Sequence, residues 1–147
     1  MRIGVVNGPN LNLLGIREPD VYGRGTLAEL ETYVGEYARA AGIESRFSQW
    51  NSEGGVIDKL HALRTWADGV VINPAAFTHY SYAVRDAIVA ISIPVVEVHL
   101  SDISKREPAF RKISVTADVC VAQIMGLGFD SYLRGIDVLQ AHVKNLR

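Results

Sequence analysis

Three short apolar runs constrain this chain more than anything else in it: Ile3-Gly4-Val5-Val6, Gly69-Val70-Val71-Ile72 and Pro94-Val95-Val96-Glu97-Val98-His99-Leu100. Each is too short for a core helix, rich in β-branched residues, and without the polar alternation of a half-exposed strand, so each reads as a strand buried on both faces. The segments between them carry helical spacing instead. Thr26-Leu27-Ala28-Glu29 is a capping box, followed by Leu27, Leu30, Val34, Tyr37 and Ala41 on one stripe and Gly42 where a left-handed cap is wanted. Ser52 is placed to cap a second helix reaching about Ala67, with Val56, Ile57, Leu60, Leu63 and Trp66 on its apolar face. A third helix is expected near residues 80–91 and a last one over 129–143, with Leu133, Ile136, Leu139 and Val143 inward. Strands alternating with helices in this way imply a parallel sheet, right-handed crossovers and helices on both faces. Residues 43–50 are expected as a further strand. Residues 118–125 are apolar almost throughout; periodicity leaves strand or buried helix open, and the rhythm assigns a fifth strand.

The chain has 147 residues, 48% of them apolar, which suits one domain spanning 1–147 around a single sizeable core. Fifteen basic and sixteen acidic residues give a net charge of -1, so no global field draws it to nucleic acid or to a membrane. Any charged ligand must be recognised locally. Cys120 is the single cysteine, which excludes an intrachain disulfide and a cysteine-rich zinc site and leaves it to pack as a small apolar group. No apolar run reaches the ~18 residues of a membrane span, and the first residues lack a signal-peptide stretch, so a cytoplasmic address is expected.

In an open parallel sheet, ligands bind beyond the carboxyl ends of the strands, where the strand order reverses. With a flavodoxin-like order 2-1-3-4-5, the first, third and fourth strands are neighbours. Their ends deliver Asn7 and Asn10, then Asn73 with Thr78 and His79, then Glu97, His99, Ser101 and Asp102. Residues 8–25 form a long loop with Arg17, Tyr22 and Arg24, and a connection of that length is usually functional. Cations beside a phenol favour the phenolate, so Arg17 and Arg24 make Tyr22 a candidate base. His99 shares a strand face with Glu97, whose carboxylate is placed to orient the imidazole or hold its proton. His61 and His142 read as surface residues. No GxxxxGK[ST] or GxGxxG loop follows the first strand, so no phosphate cradle is indicated. His79, His99 and Glu97 also allow a two-histidine, one-carboxylate metal site on paper, without HxxxH or HxH spacing to support it.

The residues resemble the type II 3-dehydroquinate dehydratases over nearly the whole chain. The likeness rests on Asn7-Gly8-Pro9-Asn10-Leu11-Asn12-Leu13-Leu14-Gly15, Arg17-Glu18-Pro19, Tyr22-Gly23, Ile72-Asn73-Pro74 with Thr78-His79, and Val96-Glu97-Val98-His99-Leu100-Ser101, in that order. The resemblance implies a flavodoxin-like fold, no metal or cofactor, a dodecamer of four trimers, and conversion of 3-dehydroquinate to 3-dehydroshikimate by loss of water. It implies Tyr22 as the base that takes the proton alpha to the ketone, with Arg17 lowering its pKa. Asn10 and a held water would stabilise the enolate, and His99, beside Glu97, would protonate the departing hydroxyl. Asn73, Ser101 and the backbone at Ile103 would hold the substrate carboxylate, His79 and Arg111 the ring hydroxyls, and Asp86 would enter a neighbouring subunit's site.

The chain also departs from the family's pattern. Asp102 stands where Asn is common, Asn51-Ser52-Glu53-Gly54 replaces Asn-His-Glu-Gly, and Tyr80 and Tyr82 replace smaller residues. The segment 104–114 carries one extra residue before Phe110-Arg111. These features suggest a divergent member, with a catalytically weakened paralogue that binds a related cyclic carboxylate as the alternative. Asp102 would either repel the substrate carboxylate or be neutralised by Lys105 or Arg106.

Overall fold

The computed structural model describes residues 1–22 and 25–147, the Tyr22 side chain excepted. Five strands, β1 (Arg2–Asn7), β2 (Glu44–Gln49), β3 (Gly69–Asn73), β4 (Val95–His99) and β5 (Ala122–Met125), form one parallel sheet in the order β2-β1-β3-β4-β5. The helices are α1 (Pro19–Tyr22), α2 (Leu27–Ala40), α3 (Glu53–Leu63), α4 (Tyr82–Ile91) and α5 (Asp130–Leu146). The expected three-layer, doubly wound α/β architecture is borne out.

Strand alternation sorts the core into two layers. Ile3, Val5, Val71, Val96 and Val98 pack with Leu30, Val34 and Ala38 of α2 and with Tyr132, Ile136 and Leu139 of α5. Val6, Val70, Ile72 and Val95 face the other way, onto Val56, Leu60 and Leu63 of α3 and Val84, Ile88 and Ile91 of α4. The strands are covered on both sides, which is why their sequences show apolar runs rather than alternation.

The helix ends follow local chemistry. Thr26 and Ser52 accept from the amides of Glu29 and Gly55, and Ser81 from that of Val84. α2 stops in a Schellman arrangement. Gly42, at φ +73°, donates to the Arg39 carbonyl at 3.0 Å, and Ile43 donates to that of Ala38 at 2.9 Å.

Three expectations are corrected. The 8–25 connection carries a 3-10 turn at Leu11–Leu13 and the short helix α1. α3 ends at Leu63, where a turn carries the chain through Trp66 to the next strand. Of 118–125 only the second half is strand. Ala117–Val119 is a 3-10 turn, drawn there by the Ser114 hydroxyl, which accepts from the amides of Thr116 and Ala117.

Candidate active site

β4 places Glu97 two residues before His99, on the face that starts at Val95, so both side chains enter the α3/α4 layer near the strand's carboxyl end. Glu97 has no exposed surface. An anion there needs several donors, and it has them. Thr78 donates to Oε1 at 2.7 Å, Ser114 to both oxygens at 2.9 and 3.0 Å, and Gln123 to Oε2 at 2.5 Å, while Thr116 also donates to Oε1. His99 Nε2 lies 3.4 Å from Oε2, within ion-pair reach but not aligned as a formed hydrogen bond. Burial alone would raise the Glu97 pKa; the His99 imidazole and the hydroxyls of Thr116 and Thr78 outweigh it and bring it down to about 2. His99 therefore stands against a permanent buried carboxylate.

His79 follows β3 on a 3-10 segment, Ala75–His79, and its Nδ1 lies 2.7 Å from the Ile113 carbonyl. A carbonyl only accepts, so Nδ1 carries the proton. Burial first, then the charges of His99, Arg111 and Arg106, lower the His79 pKa against the raising effect of that bond, which favours the neutral ring. Val115 N donates to the Thr78 carbonyl at 2.7 Å, so residues 113–116 are stitched to the end of β3 and to Glu97 together. Phe110 meets His79 edge-on at 5.8 Å, and the Arg111 guanidinium lies 5.0 Å over the Phe110 ring.

On the other side, the turn after β1 is pressed onto β3. Gly8 donates to the Asn73 carbonyl at 2.8 Å, and a Cβ on Gly8 would sit 2.5 Å from the Pro74 oxygen, so no other residue fits this approach. Asn10 takes the left-handed conformation at φ +67°, with its amide held by Asn51 Oδ1 at 3.0 Å.

A cleft opens between these parts, lined by Pro9, Asn10, Leu11, Arg17, Asn73, Ala75, Ala76, His79, His99, Leu100, Ser101, Ile103, Arg106 and Arg111. Of the residues singled out in the sequence, Asn10, Arg17, Asn73, His79, His99, Ser101, Ile103 and Arg111 meet there. Glu97 lies directly behind His99. Asp102 is turned to its own chain: it accepts from Ser104 N at 3.0 Å and Ser104 Oγ at 2.5 Å, with Lys105 Nζ 3.8 Å away. Those bonds and Lys105 lower its pKa. Asp86 is exposed on α4, away from this cleft. The Tyr22 side chain and Arg24 lie outside the described residues. Arg17 lies 3.7 Å from the Glu18 carboxylate. Among the described residues no three metal-ligating side chains converge. Cys120 is partly buried among apolar groups, and burial pushes its thiol up to about 12.

Sequence reasoning named Arg106 as a partner for Asp102 and not as a wall of the cleft, and it missed Ser114, Thr116 and Gln123 around Glu97. Gln123 is the register partner of Glu97 across β4 and β5, a relation that appears only once the register is known. It also missed Tyr132, whose hydroxyl joins Asn7 and Asn73. The helical series Tyr132, Ile136, Leu139, Val143 carried that signal, one position before Leu133.

A histidine backed by a buried carboxylate, set among arginines and asparagines at the switch point of a flavodoxin-like sheet, defines an enzyme of acid–base chemistry on an anionic ligand. The chain belongs to the class II dehydroquinase family, whose model, Dehydroquinase class II, matches residues 1–140. It is 57% identical over 128 residues to the 3-dehydroquinate dehydratase of Bacillus mycoides (strain KBAB4), covering 87% of each chain. It is 55% identical over 131 residues to that of Bacillus cereus (strain AH820), covering 89% of each. The crystal structure of the type II dehydroquinase from Butyrivibrio crossotus DSM 2876 superposes with a TM-score of 0.93 at 48% identity, over 95% of this chain and 97% of that one.

Proposed function

We propose that this chain, as one catalytic domain over 1–147, dehydrates 3-dehydroquinate to 3-dehydroshikimate through an enolate, at a cytoplasmic address. The observation that carries the reading is the His99–Glu97 pair opening into a cleft with Arg17 and Asn73 at its walls. Tyr22 takes the proton alpha to the ketone, and Arg17 favours the phenolate that does so. Asn10 with a bound water stabilises the enolate oxygen. The enolate then expels the hydroxyl on the neighbouring carbon, and His99, oriented by Glu97, supplies the proton that turns it into water. Asn73, Ser101 and the Ile103 backbone hold the carboxylate, while His79 and Arg111 meet ring hydroxyls. The geometry of Asp102, bound to Ser104 and near Lys105, supports the reading in which its charge is neutralised locally.

The protein is a homo-oligomer, a dodecamer of four trimers, in which Asp86 enters the site of the next subunit. Following the absorbance of the conjugated enone tests the reaction. Turnover of 3-dehydroquinate, unchanged by a chelator, is expected. Binding without turnover would replace the dehydratase by a carboxylate-binding module, and loss of activity with chelator would reinstate a metal-dependent lyase.

A further inference from the structure

Asn7 and Asn73 end β1 and β3 and are register partners. Alternation puts both on the face with Val5 and Val71, beneath α5. Because α5 returns antiparallel to the strands, its first turn lies over their carboxyl ends, and its third residue, Tyr132, is wholly buried there. The Tyr132 hydroxyl donates to Asn7 Oδ1 at 2.6 Å and accepts from Asn73 Nδ2 at 3.0 Å.

The direction of this relay is set at the pocket end. The Ala75 backbone amide has only a proton to give and lies 3.1 Å from Asn73 Oδ1. The Asn73 amide must therefore turn its oxygen to Ala75 and its nitrogen to Tyr132. The phenol accepts, and its one hydrogen goes to Asn7, which has to present Oδ1. Asn7 Nδ2 is then left buried with no partner among the described residues. Proteins rarely leave such a donor unpaired, and here the polarity imposed from Ala75 explains it.

We propose that Tyr132 is a positioning residue for ligand recognition: it holds one Asn73 Nδ2 hydrogen so that the other is presented to the cleft as a fixed donor for a carboxylate. Ala75 sets which way round the amide sits, and Tyr132 fixes its plane, so that without the phenol the second Nδ2 hydrogen is no longer held on the carboxylate. Burial also raises the Tyr132 pKa above the ordinary phenol value, so the relay keeps its proton throughout the working range. The inference rests on the carboxylate-binding dehydratase reading above.

Tyr132→Phe keeps the ring and removes the relay. The KM for 3-dehydroquinate should rise about tenfold, the size of one hydrogen bond to a charged ligand, while kcat stays within roughly threefold. Asn73→Ala should raise KM at least as much, and the double variant should be no worse than Asn73→Ala alone, because Tyr132 acts through Asn73. A packing role would add to Asn73→Ala instead, and either additivity or a Tyr132→Phe KM within about twofold of the parent overturns the proposal. A second measurement needs no turnover. In the 15N-labelled parent the two Asn73 Nδ2 protons should exchange with water at different rates, and equal rates overturn the relay even where Tyr132→Phe fails to fold. A parent that shows unequal exchange but no turnover would sink the dehydratase reading and leave the relay standing.

Discussion

Glu97 is a carboxylate with no exposed surface, and its charge has a consequence for stability that is separate from catalysis. Its folded pKa of about 2 lies below the ordinary value of 4.5, so between those values the unfolded chain binds the proton that the folded chain refuses. The stabilisation is complete above about pH 4.5 and is lost as pH falls towards 2, a contribution on the order of 3 kcal/mol. Urea unfolding from pH 7 to pH 3 should show this slope in the parent and a flatter one in Glu97→Gln. At the same scale, if Tyr22 is the base as proposed, Tyr22→Phe should lower kcat by about 10²- to 10⁴-fold with a much smaller change in KM. Steady-state kinetics retaining most of kcat would place the base elsewhere. Asp102→Asn should leave the KM profile between pH 5 and 8 within about twofold, because its charge is already taken up by Ser104 and Lys105. A KM that falls in Asp102→Asn would mean that Asp102 faces the substrate after all.

The elements differ in what their residues do for the site. A Cβ at Gly8 would meet the Pro74 oxygen at 2.5 Å, so Gly8→Ala must push the β1 turn, and Asn10 with it, off the end of β3. A displacement near 1 Å in a catalytic group costs on the order of 10²-fold, and kcat/KM should fall by that much. Gly42→Ala, at the end of α2, forces a side chain into the left-handed region and should cost about 1 kcal/mol of stability in denaturant titration with kcat/KM unchanged. Legibility follows the same division. The buried strands and capped helices could be found from the sequence because their signals are local: a run of β-branched residues, a Thr or Ser at a cap, a Gly at φ +73°. His99 and Glu97 were visible for the same reason, sharing a strand face at a spacing of two. Residues 117–119 were not, because apolar residues there serve a turn organised by the side chain of Ser114. The donors to Glu97 come from three segments whose meeting depends on register and crossover, which no local pattern states.

At the scale of the whole molecule, the position of Asp86 is the deciding matter. α4 buries Val84, Ala87, Ile88 and Ile91 against α3 and the sheet, which turns Asp86 to the outside, away from the cleft of its own chain. Tyr80 and Tyr82 beside it are 56% and 66% exposed, an aromatic surface that a neighbouring copy would cover. If Asp86 serves the next subunit, the assembly is heterologous and cyclic, and each chain donates once and receives once. Asp86→Ala and His99→Ala should then each be nearly inactive alone yet complement one another when unfolded together and reassembled. An active site in the mixture needs its own His99, present in half the chains, and a donor with Asp86, the case for half of the neighbours. Random reassembly at equal amounts should restore roughly a quarter of the parent activity, with both homogeneous controls remaining low. Activity no greater than the average of the two controls would mean that Asp86 acts within its own chain or not at all.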